Sequence, residues 1–209
     1  TQPLNQVVCN ASATAVTFTT TNTIGTTTYA WTNSATSIGL AASGTGNIAL
    51  FTATNSTTAP VVATIVVTPT FTNAGISCTG PTKTFTITVN PTAQITQPVN
   101  QVVCNATATT AITFATTNTI GTTTYAWTNS ATSIGLAATG TGDIASFTAT
   151  NSTTAPVVAT IVVTPTFTNG GISCTGPTKT FTITVNPTGQ VTQPLNQVVC
   201  NASATAVTF

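Results

Sequence analysis

The chain has 209 residues, and only 1% of them are charged: Lys83, Lys179 and Asp143, with no His, Glu or Arg. An ordinary globular domain carries about 25% charged residues. The groups most enzymes use for proton transfer and metal binding are therefore nearly absent, as are the cations needed to hold nucleic acid or an anionic membrane surface.

Hydrophobic residues still make up 41%, enough to build a core. No apolar run approaches the ~18 residues of a membrane span. Thr dominates the rest, with 59 residues. Its branched Cβ suits a pleated strand, and its hydroxyl gives that strand a polar outer face without charge.

In chain order, Ala15–Thr19 predicts a strand with Val16 and Phe18 on one face. Asn22 and Gly25 predict a turn. Thr26–Asn33 predicts a strand that places Tyr29 and Trp31 on the same face. Ser43-Gly44-Thr45-Gly46 reads as a turn, and Ile48–Ala53 as a strand. After Ala59-Pro60 comes a long β-branched run, Val61–Thr68. Asn73-Ala74-Gly75 and Gly80-Pro81 mark further turns. Thr84-Phe-Thr-Ile-Thr-Val89 alternates strictly, with Phe85, Ile87 and Val89 on one face. Roughly seven short strands in ~96 residues, with turn signals every 8–12, is the pattern of a β-sandwich.

The pattern then starts again. Thr1-Gln-Pro-Leu-Asn-Gln-Val-Val-Cys9-Asn10 returns at Thr96–Asn105 and at Thr192–Asn201. Residues 20–42 match 116–138 without a change, and 51–73 match 147–169. Repeat 2 carries one extra residue near Thr109 and Thr110. A ~96-residue period is too long for a solenoid coil and has the size of a domain. The expected division is 1–92, 93–188 and 189–209, the last being the opening of a third repeat. Such a chain is expected to be a piece of a longer array, or one unit of a polymer. Val89–Pro98 joins the repeats. With two prolines and no Gly-Ser run, it predicts a short, stiff connection.

Five cysteines stand at positions 9, 78, 104, 174 and 200, two per full repeat. None has zinc-like spacing. The simplest expectation is a bridge inside each repeat, Cys9–Cys78 and Cys104–Cys174, leaving Cys200 unpaired. In the loop-entropy account each ~70-residue loop would contribute about 4 kcal/mol. The alternatives are Cys78–Cys104 with Cys174–Cys200, stapling one repeat to the next, or buried free thiols. Bridges imply an oxidising compartment outside the cytoplasm.

The order and spacing of several segments carry a resemblance. Val-Val-Cys-Asn-Ala is followed by Ala-Val-Thr-Phe, then Thr-Tyr-Ala-Trp-Thr-Asn, then Ile-Gly-Leu-Ala-Ala-Ser-Gly-Thr-Gly-Asn-Ile, and the repeat closes on Ser-Cys-Thr-Gly-Pro-Thr-Lys-Thr-Phe-Thr-Ile-Thr-Val-Asn-Pro. Over the whole repeat this resembles the PKD-like, immunoglobulin-like repeats of very large Bacteroidota surface proteins, typically exported by type IX secretion and associated with adhesion and gliding. The acidic Trp-Asp-Phe-Gly-Asp-Gly core of better-known PKD domains is absent, so no residue role is carried over from it. The resemblance implies β-sandwiches, tandem repetition and cell-surface export, and names no ligand.

Other candidate chemistries fit poorly. Asp143 aligns with Asn47 and reads as a surface substitution. No Ser or Cys has a His base. Lys83 and Lys179 invite a Lys–Asn isopeptide bond, but repeat 1 has no acid to shuttle the proton; an exposed Lys guarding a strand edge is the plainer reading. Asn10, Asn55, Asn105, Asn151 and Asn201 match the N-glycan acceptor pattern, which a Thr- and Ser-rich chain produces by composition. Tyr29 and Trp31, with Tyr125 and Trp127 in repeat 2, read as core aromatics rather than as a sugar-stacking platform. Thr82, Thr84, Thr86 and Thr88 read as a solvated strand face rather than an ice-ordering row.

The expectation is thus an all-β chain of tandem immunoglobulin/PKD-like antiparallel sandwiches. It would not be an enzyme and would hold no catalytic group, cofactor or metal. Its role would be a disulfide-stabilised, semi-rigid spacer in an extracellular or cell-surface filament or adhesin stalk. Partners would be neighbouring repeats and homo-assembly into filaments or bundles, not nucleic acid. A glycan- or ice-binding surface module is the alternative.

Overall fold

In a computed structural model of the chain, residues 1–208 are described; Phe209, the last residue of the repeated opening at 192–209, lies outside them. Repeat 1 contains β1 (Gln6–Cys9), β2 (Ala13–Val16), β3 (Thr26–Asn33), β4 (Ser43–Thr45), β5 (Ile48–Thr52), β6 (Val61–Asn73), β7 (Ile76–Thr79) and β8 (Lys83–Asn90). Repeat 2 contains β9 (Gln101–Cys104), β10 (Thr122–Asn129), β11 (Thr139–Thr141), β12 (Val157–Asn169), β13 (Ile172–Thr175) and β14 (Lys179–Asn186). The fold is all-β, relieved by single 3-10 turns at Thr36–Ile38 and Thr132–Ile134.

In repeat 1 the large sheet runs β1-β8-β6-β3-β4, with β7 also on β6, and β2-β5 form a small second sheet. Only β1 and β8 pair in parallel; the other pairs are antiparallel. This is an immunoglobulin-like sandwich. The long central strand and its two neighbours form one wall, and the short β2-β5 pair covers the other. Between them lies a core of Val16, Phe18, Trp31, Ile38, Ile48, Ile65, Phe85, Ile87 and Val89. Repeat 2 builds the same core from Ile112, Phe114, Trp127, Ile134, Ile144, Ile161, Phe181, Ile183 and Val185.

Pro69 sits inside β6, a central strand, where a missing N–H would normally break the ladder. It pairs with Tyr29 on one side. On the other, its carbonyl accepts from the Gly80 N–H at 2.9 Å. A strand residue's N–H and C=O point the same way, so the absent donor faces the gap between β7 and β8, where no ladder bond is due. That gap, at Gly80-Pro81-Thr82, lets β6 run five residues past the predicted end at Thr68.

Ser43-Gly44-Thr45, expected as turn, is instead the edge strand β4. Gly44 lies against the indole of Trp31, and a Cβ there would collide with the ring. The extra residue of repeat 2 has a visible effect as well. In repeat 1 β2 and β5 form a ladder with a bulge between Thr14 and Val16. In repeat 2 only two isolated bridges remain, Ala108–Thr148 and Ile112–Ile144, on either side of the insertion.

Candidate functional site

The chemistry-bearing residues gather where the repeats meet. Cys9 ends β1, opposite Asn90 at the end of β8. Cys78 lies opposite Phe71, near the far end of β6, while Val61 at the near end of β6 lies opposite Val89. From Val61 to Phe71 is ten residues of strand, or about 33 Å. Cys9 and Cys78 thus occupy opposite poles of one sandwich, far beyond the reach of a disulfide. The same holds for Cys104, opposite Asn186, and Cys174, opposite Phe167. The expected pairings Cys9–Cys78 and Cys104–Cys174 are therefore corrected.

The bridge that forms is Cys9–Cys174, with Cα atoms 5.6 Å apart and a sequence separation of 165. It crosses the joint, binding the lower pole of repeat 1 to the β12–β13 hairpin of repeat 2. Cys78 and Cys104 carry no disulfide among the described residues, and neither does Cys200. All three are exposed, and with Cys174 taken by Cys9 the inter-repeat pairings Cys78–Cys104 and Cys174–Cys200 are not formed either.

Polar contacts complete the joint. Asn90 is fully buried. Its Nδ2 donates to the Asn169 carbonyl at 3.0 Å, and Asn169 Nδ2 donates back to Asn90 Oδ1 at 2.9 Å. Across the same junction the Thr119 N–H donates to the Thr58 carbonyl at 2.9 Å. Asn118 Oδ1 accepts from the Gln94 N–H at 2.6 Å while its Nδ2 reaches the Thr92 carbonyl at 3.2 Å. Ala93 is buried, and Ile95 packs into the core of repeat 2. A Cβ on Gly176 would collide with the Ala93 carbonyl, so glycine lets the connecting segment lie flat on repeat 2. The joint is thus a packed, hydrogen-bonded and covalently closed contact.

The remaining predicted residues fall elsewhere. Trp31 and Trp127 are buried, whereas Tyr29 and Tyr125 are half-buried and pack on Phe18 and Phe114 with ring centroids 5.3 and 5.4 Å apart. No disulfide lies beside either Trp. Burial pushes the Tyr125 hydroxyl above its ordinary value; a bond from Thr116 opposes that shift and the nearby Asp143 charge adds to it. Asp143 Oδ1 accepts from the Phe114 N–H at 2.8 Å, as Asn47 Oδ1 accepts from the Phe18 N–H at 2.8 Å. Only an acceptor oxygen is used there, so Asp and Asn serve alike.

Two asparagines of the acceptor pattern are internal struts. Asn55 Nδ2 donates to the carbonyls of Ala59 and Val89 at 2.8 and 2.7 Å, and Asn151 Nδ2 does the same with Ala155 and Val185. Their buried amides are occupied. Among the described residues no group of three or more His, Cys, Asp or Glu gathers in space, and no helix is long and apolar enough to cross a membrane.

The sequence matches no protein-family model, and no curated protein is similar to it. Several solved structures are similar in part. Repeats EC22–24 of mouse cadherin-23 match at 10% identity and a TM-score of 0.35, over 90% of this chain and 65% of that one. The titin immunoglobulin domains I67–I69, in an E-to-A variant, match at 9% identity and 0.42, over 89% of this chain and 64% of that one. Repeats EC1–2 of human mucin-like protocadherin match at 12% identity and 0.32, over 90% and 97%. The chain thus spans slightly under two thirds of the length of the first two.

Proposed function

We propose that this chain is a load-bearing spacer segment of an extracellular or cell-surface filament or adhesin stalk. The observation that carries the reading is the Cys9–Cys174 bridge across the joint. A pull applied at the two ends runs through Cys9, across the sulfur bridge and out from Cys174. The chain between them, 165 residues apart, is off the load path. The Asn90–Asn169 pair and the flat-lying Ala93 segment fix direction at the joint, which makes the spacer semi-rigid.

The setting follows from the same features. A disulfide persists in an oxidising compartment, which supports an extracellular location. The resemblance to PKD-like repeats of Bacteroidota surface proteins supports type IX export and a role in adhesion. Near-neutral, Thr-rich faces offer little long-range repulsion, which favours side-by-side bundling of filaments. Trp31 and Trp127 are buried, so the paired aromatic platform that a sugar-binding reading requires is not presented.

Single-molecule stretching from residues 1 and 209 tests the proposal. Under oxidising conditions the chain between Cys9 and Cys174 should give no unfolding steps at forces that spare the disulfide, and any early release should come only from the stretches outside the bridge, β14 included. Reductant should release hidden length of roughly 540–590 Å, the reach of the bypassed chain at 3.3–3.6 Å per residue. Equal contour lengths with and without reductant would refute the spacer reading.

A further inference from the structure

The large sheet of each repeat has one face on the core and one in water. On the outer face Thr64 lies opposite Thr86, Thr70 opposite Thr28, and Thr32 opposite Ser43. Along β3, β4, β6 and β8 every outward residue is Thr or Ser, except Val62, Val66, Ala30 and the joint residue Asn90. The twin face of repeat 2 departs from Thr and Ser only at Val158, Val162, Ala126 and Asn186. The three charges of the chain lie elsewhere. Lys83 and Lys179 pair with Val67 and Val163, which face the core, and Asp143 holds the Phe114 N–H. Val62 and Val158 are each 53% exposed. The surface of a soluble domain is about 25–35% charged; on these faces nothing charged keeps a neighbour away.

We propose that this face docks the same face of a second copy of the chain, sheet on sheet. Chemistry favours that partner. A Thr hydroxyl both donates and accepts, beside a methyl group, so a carpet of Thr is complementary to its own copy. Shape favours it too. Sheets twist, and two twisted sheets stack at about −30° with roughly 10 Å between them. A flat crystalline surface, whether ice or packed glycan chains, meets a twisted face only along a strip. Ala30 and Gly44 also leave a dip of about 500 Å³ bordered by Thr32, Thr45 and Val66. A side chain of a facing sheet fills such a dip, whereas a flat lattice spans it.

Area sets the strength. Val62 to Thr72 is ten residues of β6, about 33 Å of strand, and four strands span about 19 Å, so one face covers roughly 600 Å². A stable complex buries about 800 Å² per partner. One face therefore pairs weakly, and filaments hold side by side where many faces engage at once. Naming this lateral partner deepens the spacer reading, on which its biological sense rests.

The test uses the whole chain with Cys78→Ser, Cys104→Ser and Cys200→Ser, so that exposed thiols cannot link copies. Sedimentation equilibrium up to about 1 mM, where weak contacts populate, should show reversible self-association. Thr68→Lys with Thr164→Lys, both outward positions on β6 and β12, should weaken it at least about tenfold by setting like charges against each other. Ala49→Lys with Ala145→Lys adds the same charge at exposed positions away from the large sheet and should leave association within about twofold at moderate salt. A chain with Thr68→Glu and Thr164→Glu should be monomeric alone and should associate when mixed with the Lys-faced chain at low salt. The stretching measurement on a single chain decides the spacer reading whatever is found here. A chain monomeric at every concentration, or association equal in the Thr68→Lys/Thr164→Lys and parent chains, would overturn the face-to-face contact. So would a monomer that adsorbs to ice or to an insoluble glycan and loses that adsorption with Thr68→Lys and Thr164→Lys, since the face would then belong to that partner.

Discussion

Asn90 and Asn169 clasp each other across the joint, each amide donating to an oxygen of the other residue. Asn90 is fully buried in doing so, and its backbone carbonyl accepts from the Asn10 N–H at 2.9 Å. The pair therefore links the last strand of one repeat to the hairpin of the next and to the residue after Cys9. Replacing Asn90 with Leu leaves the Asn169 amide without its side-chain acceptor. The expected cost is about 1–3 kcal/mol, read by denaturant unfolding. A double-mutant cycle with Asn169→Leu should show coupling, whereas Asn186→Leu in the monomer should cost little.

Removing the bridge should matter unequally among the cysteines. Cys9→Ser or Cys174→Ser opens a loop whose ends are 165 residues apart. The loop-entropy account puts the loss at up to about 5 kcal/mol. Cys78→Ser should leave monomer stability nearly unchanged, because Cys78 is exposed and unbridged. Equal losses from Cys9→Ser and Cys78→Ser in chemical denaturation would restore a bridge inside the repeat.

Gly44 and Gly140 are expected to tolerate no side chain, since a Cβ at either would enter the indole of Trp31 or Trp127. Gly44→Ala should destabilise by about 1–3 kcal/mol through overpacking and shift Trp fluorescence. Gly46→Ala has open space around its Cβ and should cost about 1–2 kcal/mol through its left-handed backbone alone, with unaltered fluorescence.

Stability should be almost flat between about pH 5 and 9, because so few groups titrate. The alkaline side is different. Burial, which raises Tyr125, and the Asp143 charge both favour its neutral form, against the opposing Thr116 bond. A group whose folded value is raised contributes stability that is fully present below its unfolded value, about 10. That contribution is lost as pH rises through the folded value. Unfolding followed by circular dichroism should weaken above pH 10, and Asp143→Asn should bring the folded Tyr125 value closer to 10. A marked loss between pH 5 and 9 would contradict this account.

Much of the fold was legible because period-2 alternation is local. Thr84–Val89 and Thr26–Asn33 read directly as strands, and Trp31 as a residue facing inward. Pro69 was harder: a proline normally ends a central strand, and only the break at Gly80-Pro81-Thr82 on its donor side explains why β6 continues. Gly44 looked like a turn signal because its reason is non-local, the approach of the Trp31 ring. Cysteine pairing is where sequence and structure differ most. Two cysteines per repeat suggested a bridge within the repeat, yet strand order places one at each pole. The available signal was the position of Cys9 before the first hairpin and of Cys78 in the last one. Asn55, Asn90 and Asn169 left no sequence signal, since in an Asn-rich chain a buried strut looks like any surface amide.

The sulfur bridge also changes what damage can do. A protease that cuts one peptide bond anywhere between Cys9 and Cys174 leaves both fragments tied together, and the thread stays whole. Only a cut in the short outer stretches, or the rarer combination of a cut and a reductant, parts it. A structure built this way tolerates nicking along most of its length.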